Sequence, residues 1–234
     1  DAILGTTSYG DISKAVKEAQ AGRHFEEYKS IDFLPDISGK RMLTTGGHFA
    51  YLKIAKNRGE TKFMKYMFAS DIHGSAYYCR KMLDAFEKEG AERLVLLGDL
   101  LYHGPRNDLP KEYAPKQVIP MLNAMKDKIY AVRGNCEAEV DQMVLEFPVM
   151  ADYCILAIDG KTFYATHGHV YNQNNLPPLC EGDILIHGHT HVLKAEQMEG
   201  YILLNPGSVS IPKEGNPPTY AVLEDGVFSI MDFD

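Results

Sequence analysis

Two short apolar runs bracket one amphipathic stretch, and this arrangement restricts the chain more than any other part of it. Lys65-Tyr66-Met67-Phe68-Ala69 and Arg93-Leu94-Val95-Leu96-Leu97 have the length and content of buried strands. Between them Tyr78, Met82, Ala85 and Phe86 recur at helical spacing from Ser75 to Glu89, with Gly90 as a stop. Strand, helix, strand predicts a parallel βαβ unit, in which the helix carries the chain back to start a parallel strand. In such sheets ligands bind beyond the carboxyl ends of the strands. Asp71-Ile72-His73 follows the first strand and Gly98-Asp99 the second, so three polar side chains fall at that place.

The same grammar continues downstream. A loop rich in proline and charge, His103 to Pro115, leaves directly from Asp99 and is expected to overhang the site or form an oligomer contact. A helix from about Pro115 to Met125 and a strand from Lys128 to Val132 follow, and Gly134-Asn135-Cys136-Glu137 stands just past the strand. Glu137 to Glu146 reads as a short helix. Beyond it the pattern turns to strands. Tyr153–Ile158 and Thr162–Thr166 flank Asp159-Gly160, and Tyr220–Leu223 and Val227–Met231 flank Asp225-Gly226; both are hairpin signals. The strand before Thr166 runs into His167-Gly168-His169, and Asp183–Ile186 runs into His187-Gly188-His189-Thr190-His191. Residues two apart in extended chain share a side, so His189 and His191 aim together, as do Asp71 and His73. Paired imidazoles and carboxylates on separate strand ends point to a metal centre assembled across the fold.

The first sixty residues have another character. Residues 2–8 read as a short strand and turn, Ile12 to Ala21 as a helix ended by Gly22, with Asp11 as its cap. Arg23 to Gly47 is polar with no sustained period, and His24 and His48 read as surface residues. The 234 residues carry a net charge of −8 and no long basic run, which argues against nucleic acid or an anionic membrane as partner. Cys79, Cys136, Cys154 and Cys180 form no C-x-x-C pair. With no signal-like segment and no spanning apolar run, a reducing cytoplasm is expected; the chain begins at Asp1, so this end is read as trimmed or incomplete.

The run Lys40 to Ala55 resembles the linker of RimO-type ribosomal-protein methylthiotransferases, but the three cluster-binding cysteines of that family do not follow. Residues 1–63 are therefore expected to be a truncated, non-functional appendage to a domain spanning 64–234. That domain resembles the calcineurin-like metallophosphoesterases, on Asp71-x-His73, Gly98-Asp99, Gly134-Asn135, His167 and Gly188-His189-x-His191 in this order. Gly104-Pro105-Arg106-Asn107, Arg133 to Cys136, Thr166 to His169 and Asn205 to Lys213 are similar to the small bacterial YfcE-type phosphodiesterases. The resemblance implies an α/β fold, a four-layer α/β/β/α sandwich of two mixed sheets. It implies two divalent ions, with Asp71, His73 and His191 on one, Asn135, His167 and His189 on the other, and Asp99 bridging. The expected ion is Mn²⁺, with Fe, Ni or Zn also suited to imidazole and oxygen donors. The implied reaction is hydrolysis of a small phosphodiester by a hydroxide held between the ions, in a homo-oligomer. Cys136 stands where most of the superfamily has a proton-donating histidine, and a direct catalytic role for it is one reading. His103 and Arg106 are candidates for meeting substrate phosphate. His169 and His187 are expected to support the ligands, and Cys79, Cys154 and Cys180 to fill core. The same fold also serves as an interaction scaffold in a retromer subunit, a role that loss of ligands would mark; here all seven positions hold metal-binding residue types.

Overall fold

The computed structural model describes residues 2–4, 12–27, 51–52 and 64–233. The chain divides into two compact units, Asp1–Gly46 and Gly47–Asp234. In the first, β1 (Ala2–Leu4), α1 (Ile12–Gln20) and β2 (Phe25–Glu27) form a small βαβ unit in which Ala2 pairs with Phe25 and Leu4 with Glu27. Gly22, at φ 73°, turns the chain after α1 as the sequence predicts. His24 is exposed. Asp11, His48 and most of the Lys40–Ala55 run lie outside the described residues.

The second unit contains β3 (Tyr51–Leu52), β4 (Tyr66–Ala69), α2 (Ala76–Glu89), β5 (Arg93–Leu96), α3 (Pro115–Asn123), β6 (Ile129–Ala131) and α4 (Glu139–Val144). It continues with β7 (Tyr153–Ile158), β8 (Lys161–Thr166), β9 (Asp183–Ile186), β10 (Lys194–Gln197), β11 (Tyr201–Asn205), β12 (Thr219–Glu224) and β13 (Val227–Asp232). Two mixed sheets result, one ordered β13-β12-β4-β5-β6 and the other β10-β11-β9-β8-β7-β3. β4, β5 and β6 run parallel, as the βαβ pattern requires, and so do β8 and β9. Ser75 caps α2 by accepting a hydrogen bond from the Tyr78 amide, and Gly90 at φ 64° ends it. Both Asp-Gly pairs form the expected turns, with Asp159 and Gly160 at φ 51° and 78°, and Asp225 and Gly226 at 50° and 77°.

Alternation along the strands sorts the side chains into layers. Met67 and Ala69 of β4 face the helices together with Leu94, Leu96, Met82, Phe86, Val118 and Leu122. Tyr66 and Phe68 face the other sheet and pack with Val95, Leu97, Phe163, Ile184, Ile186 and Leu223. Phe68 is the hub of that inter-sheet layer, its ring 6.1 Å from Phe163 and 6.0 Å from Phe228. Burial of a side chain this size contributes roughly 1.5–3 kcal/mol. The outer face of the six-stranded sheet carries a smaller apolar layer, Leu185, Tyr201 and Leu203 beside Tyr164, Leu179 and Met198.

Three strands escaped the sequence reading. β2 and β3 are three and two residues long and carry no period. β10 is a polar edge strand whose side chains are almost all solvent-facing, so it lacks the alternation that marks a half-buried one. Cys79 is buried and Cys154 half-buried, but Cys180 is exposed, contrary to expectation; it sits in the turn before β9, where its amide binds the Asp183 carboxylate at 2.8 Å. No helix among the described residues is long and apolar enough to cross a membrane.

Candidate metal centre

Every predicted ligand lies just past the carboxyl end of a parallel strand, and the two sheets bring these ends together. Asp71 and His73 follow β4, Asp99 follows β5, Asn135 follows β6, His167 follows β8, and His189 and His191 follow β9. The chain must fold back sharply there to lay the side chains over the sheet edge. Asp71, His73, Asp99, His189 and His191 accordingly have φ between 50° and 66°, the left-handed region that side chains other than glycine enter at a cost. Hydrogen bonds hold them in it. The amides of Asp71 and His73 bind the carbonyls of Gly98 and Asp99 at 3.1 and 2.8 Å, and the Ser208 and Ser210 hydroxyls both donate to the Asp71 carbonyl.

The side chains converge in two overlapping groups. His73 Nε2 lies 3.3 Å from His191 Nε2 and 3.5 Å from Asp71 Oδ1, and His191 Nε2 is 3.2 Å from the same oxygen. His167 Nε2 lies 3.1 Å from Asn135 Oδ1 and 3.2 Å from His189 Nδ1. Asp99 Oδ2 belongs to both groups, 3.7 Å from His73 Nε2 and 3.5 Å from His167 Nε2. Donor atoms about 2.0–2.2 Å from a cation are separated from one another by such distances.

For five of the seven side chains, backbone contacts fix which atom faces inward. His73, His167 and His191 direct Nδ1 at the carbonyls of Tyr102, Leu97 and Ile211, at 2.8, 2.6 and 2.6 Å. Each Nδ1–H donates there, which leaves Nε2 to present a lone pair to the centre. One oxygen of each carboxylate is likewise occupied: Asp71 Oδ2 accepts from the His189 amide at 3.1 Å, and Asp99 Oδ1 from the Cys136 amide at 2.9 Å. Asp71 Oδ1 is fully buried and has no hydrogen-bond partner. A buried, unsatisfied carboxylate oxygen beside two imidazoles is costly unless a cation shares the space, so the residues fit a bound metal ion.

Electrostatics agree. Burial opposes ionisation of Asp71, but His191 and His73 outweigh it and hold the carboxyl well below its usual range. Burial likewise lowers His167, yet Asp99 and Asp71 dominate and raise it to about 9. His189 is pushed down to about 4 by burial and by His167. Below pH 9 a proton on His167 therefore competes with metal, while His189 and the two carboxylates are already deprotonated. Binding must release that proton, and His73, lowered by burial but raised overall by Asp71, adds to the release, so Mn²⁺ affinity is expected to rise by about tenfold or more per pH unit below pH 9 and to level above it. Calorimetry at several pH values checks this; an affinity flat over that window contradicts a protonated His167.

One residue with a structural part in the site escaped the sequence reading. Glu137 looks like the start of a helix, but its carboxylate accepts the amides of Gly134, Asp99 and Leu100 at 2.5, 2.9 and 2.7 Å. It ties the Asp99 loop to the Asn135 loop. Burial and Asp99 push its carboxyl up to about 7, against the pull of those three amides. The nearest signal was its place in Gly134-Asn135-Cys136-Glu137. Cys136 Sγ is half-buried, 3.2 Å from the Asn135 amide nitrogen, and burial and Asp99 push its thiol up.

The centre opens into a cleft of about 380 Å³ lined by Asp99, Arg106, Asn107, Asn135, His189, Thr190, His191 and Lys213. Arg106 thus stands in the cleft wall. The His103 ring stacks edge-on between Tyr102 and Tyr113 and is not part of that lining. His169 lies beside His167 and His189, with ring centroids 5.4 and 6.3 Å away, and its Nδ1 is buried without a partner. His187 faces away, bonded to the Gly188 carbonyl and to Gln173.

Residues 64–225 match the model of the calcineurin-like phosphoesterase superfamily domain. The chain belongs to this superfamily. It is similar to the Escherichia coli (strain K12) protein named phosphodiesterase YfcE, 49% identical over 168 residues that cover 72% of this chain and 91% of the relative. A solved structure described as YfcE, a phosphoesterase from E. coli, superposes with a TM-score of 0.72 at 48% identity, covering 73% of this chain and 94% of that one. A second kind of likeness is short: ribosomal protein uS12 methylthiotransferase RimO of Lachnoclostridium phytofermentans is 38% identical over 74 residues, 32% of this chain and 16% of that protein. As a calcineurin-like phosphoesterase the chain is a hydrolase of metal-dependent type, and among the described residues Asp71, His73 and His191, then His73, Asp99 and Cys136, then Asp71, Asp99 and His167 bring ligand atoms within 4.8 Å of one another.

Proposed function

We propose that this phosphoesterase is a phosphodiesterase working through two divalent ions, Mn²⁺ by preference, on a small diester. Asp71, His73 and His191 would hold one ion, Asn135, His167 and His189 the other, and Asp99 would serve both. The observation that carries this reading is the position of Asp99 Oδ2, within 3.7 Å of His73 Nε2 and 3.5 Å of His167 Nε2. When bound, such a pair of ions lowers the pKa of a coordinated water to about 7 and polarises the phosphoryl oxygens.

The chain's own residues do the rest. The Cys136 amide fixes Asp99 so that a single oxygen points inward, and the carbonyls of Tyr102, Leu97 and Ile211 keep three imidazoles in the ligating tautomer. Asn135 as a neutral donor keeps the centre positive enough to attract a monoanion. Cys136 Sγ lies 3.2 Å from the Asn135 amide nitrogen, beside the centre, where its thiol would be a proton source for the departing group. Arg106 stands in the cleft wall as a substrate-binding residue, and His103 supports that loop through its carbonyl, which accepts from Asn107 at 2.9 Å. Residues 1–63 take no part in the reaction. Self-association belongs to the same proposal, with Leu109, 62% exposed on the His103–Pro115 loop, as a contact. The free cysteines suit a reducing cytoplasm.

The full chain with Mn²⁺ is expected to hydrolyse bis(p-nitrophenyl) phosphate faster than p-nitrophenyl phosphate, to lose the activity to EDTA, and to regain it on adding Mn²⁺. A chain beginning at Met64 is expected to keep it. Preference for the monoester replaces the diesterase reading, and loss of activity on shortening gives the first segment a role.

A further inference from the structure

Half of the cleft lining is ligand, and the other half is a polar wall. Arg106 and Asn107 come from the loop after Asp99, and Thr190 and Lys213 stand on the opposite flank. Both flanks are anchored to the centre. Gly104 is turned at φ 77° against the Cys136 side chain, and the Lys213 amide binds the His191 carbonyl at 3.1 Å. Arg106 and Lys213 are exposed, and neither forms an ion pair with a carboxylate among the described residues. Their acidic neighbours in sequence, Asp108 and Glu214, are not part of the lining. In a protein of net charge −8, two free cations on one small cleft call for a counter-charge.

The scissile group does not supply it. Two divalent ions, less the charges of Asp71, Asp99 and a hydroxide, leave about one positive charge, which the single negative charge of a diester neutralises. Arg106 and Lys213 then add two more. A terminal phosphate carries about −1.5 to −2 near neutral pH and closes the balance. The lining side chains are all polar or charged, with no aliphatic residue to anchor an acyl chain.

Resting on the diesterase reading, we propose that the substrate is a small polar phosphodiester bearing a second, terminal phosphate, read by Arg106 and Lys213. The terminal phosphate replaces water around the guanidinium and the ammonium at the mouth of the cleft while the diester lies over the centre.

The test uses the full chain loaded with Mn²⁺ and two chromogenic diesters, the p-nitrophenyl ester of thymidine 5′-phosphate with and without a 3′-phosphate; the thymine is only a handle. The ratio of kcat/KM values is expected to favour the phosphorylated ester by about tenfold and to shrink as salt is raised. Arg106→Gln and Lys213→Gln each lower that ratio, and the double variant brings it near one. A ratio near one in the unaltered protein overturns the proposal. So does a loss that falls equally on both esters, because the cations then serve the scissile phosphate. If neither ester is hydrolysed, the diesterase reading fails separately. Calorimetric binding of thymidine 3′,5′-bisphosphate against thymidine 5′-phosphate then decides: equal affinities, or a preference unchanged in the double variant, overturn the second-phosphate site.

Discussion

Asp99→Asn is expected to bind almost no Mn²⁺ and to lower diester hydrolysis by about 10³-fold or more. The amide oxygen would keep the Cys136 amide, which now donates to Oδ1 at 2.9 Å. The NH₂ group would then point at His73 and His167, whose Nε2 atoms lie 3.7 and 3.5 Å from the present Oδ2. It would donate to the lone pairs that a cation needs, and so close both halves of the centre at once. The fold should survive. Against burial and Asp71, His167 holds the Asp99 carboxyl below its usual range, so the metal-free variant should melt cooperatively but somewhat below the metal-free parent at neutral pH. Mn²⁺ stoichiometry by calorimetry, with the melting curve as control, checks this; two equivalents bound at parental affinity would remove Asp99 from the bridging position.

Gly134→Ala should come next in effect. A Cβ there would stand 2.0 Å from Asp99 Oδ1, 2.6 Å from the Asp99 amide nitrogen and 2.8 Å from Glu137 Oε2. Two of those atoms belong to the tie between the loops, so the added methyl cannot be absorbed by a flexible side-chain end. A cost of about 1–3 kcal/mol in stability is expected, with a fall of about 10–100-fold in Mn²⁺ affinity as Asp99 is displaced. Thermal melting and calorimetry read the two effects separately. Parental values in both would mean that the loops part easily, and that Glu137 does not hold them.

Asp99 and Glu137 mark the boundary of what the sequence discloses. Asp99 was legible because a ligand just past an apolar run is a local pattern, and five such patterns occur in chain order. That β4 is buried was legible for the same reason, but which of its side chains face the other sheet was not, because Tyr66, Met67, Phe68 and Ala69 are all apolar and all buried. Glu137 was not, because its partners are the amides of Asp99, Leu100 and Gly134, and two of these lie 37 and 38 positions away. An amide offers no residue type to recognise. Lys213 acquires meaning only once the loop after β11 is seen to bind the His191 carbonyl. β10 stayed hidden because a charged edge strand resembles a loop in composition.

The backbone torsions at Asp71, His73, Asp99, His189 and His191 also set the routes by which this centre can be lost or remade. Asparagine, aspartate, histidine and glycine tolerate that conformation, whereas valine, isoleucine and threonine are disfavoured there by their branched Cβ. Descendants that abandon catalysis should therefore drift toward Asn or Gly at these positions, and a designer seeking a different ion has a short alphabet from which to choose.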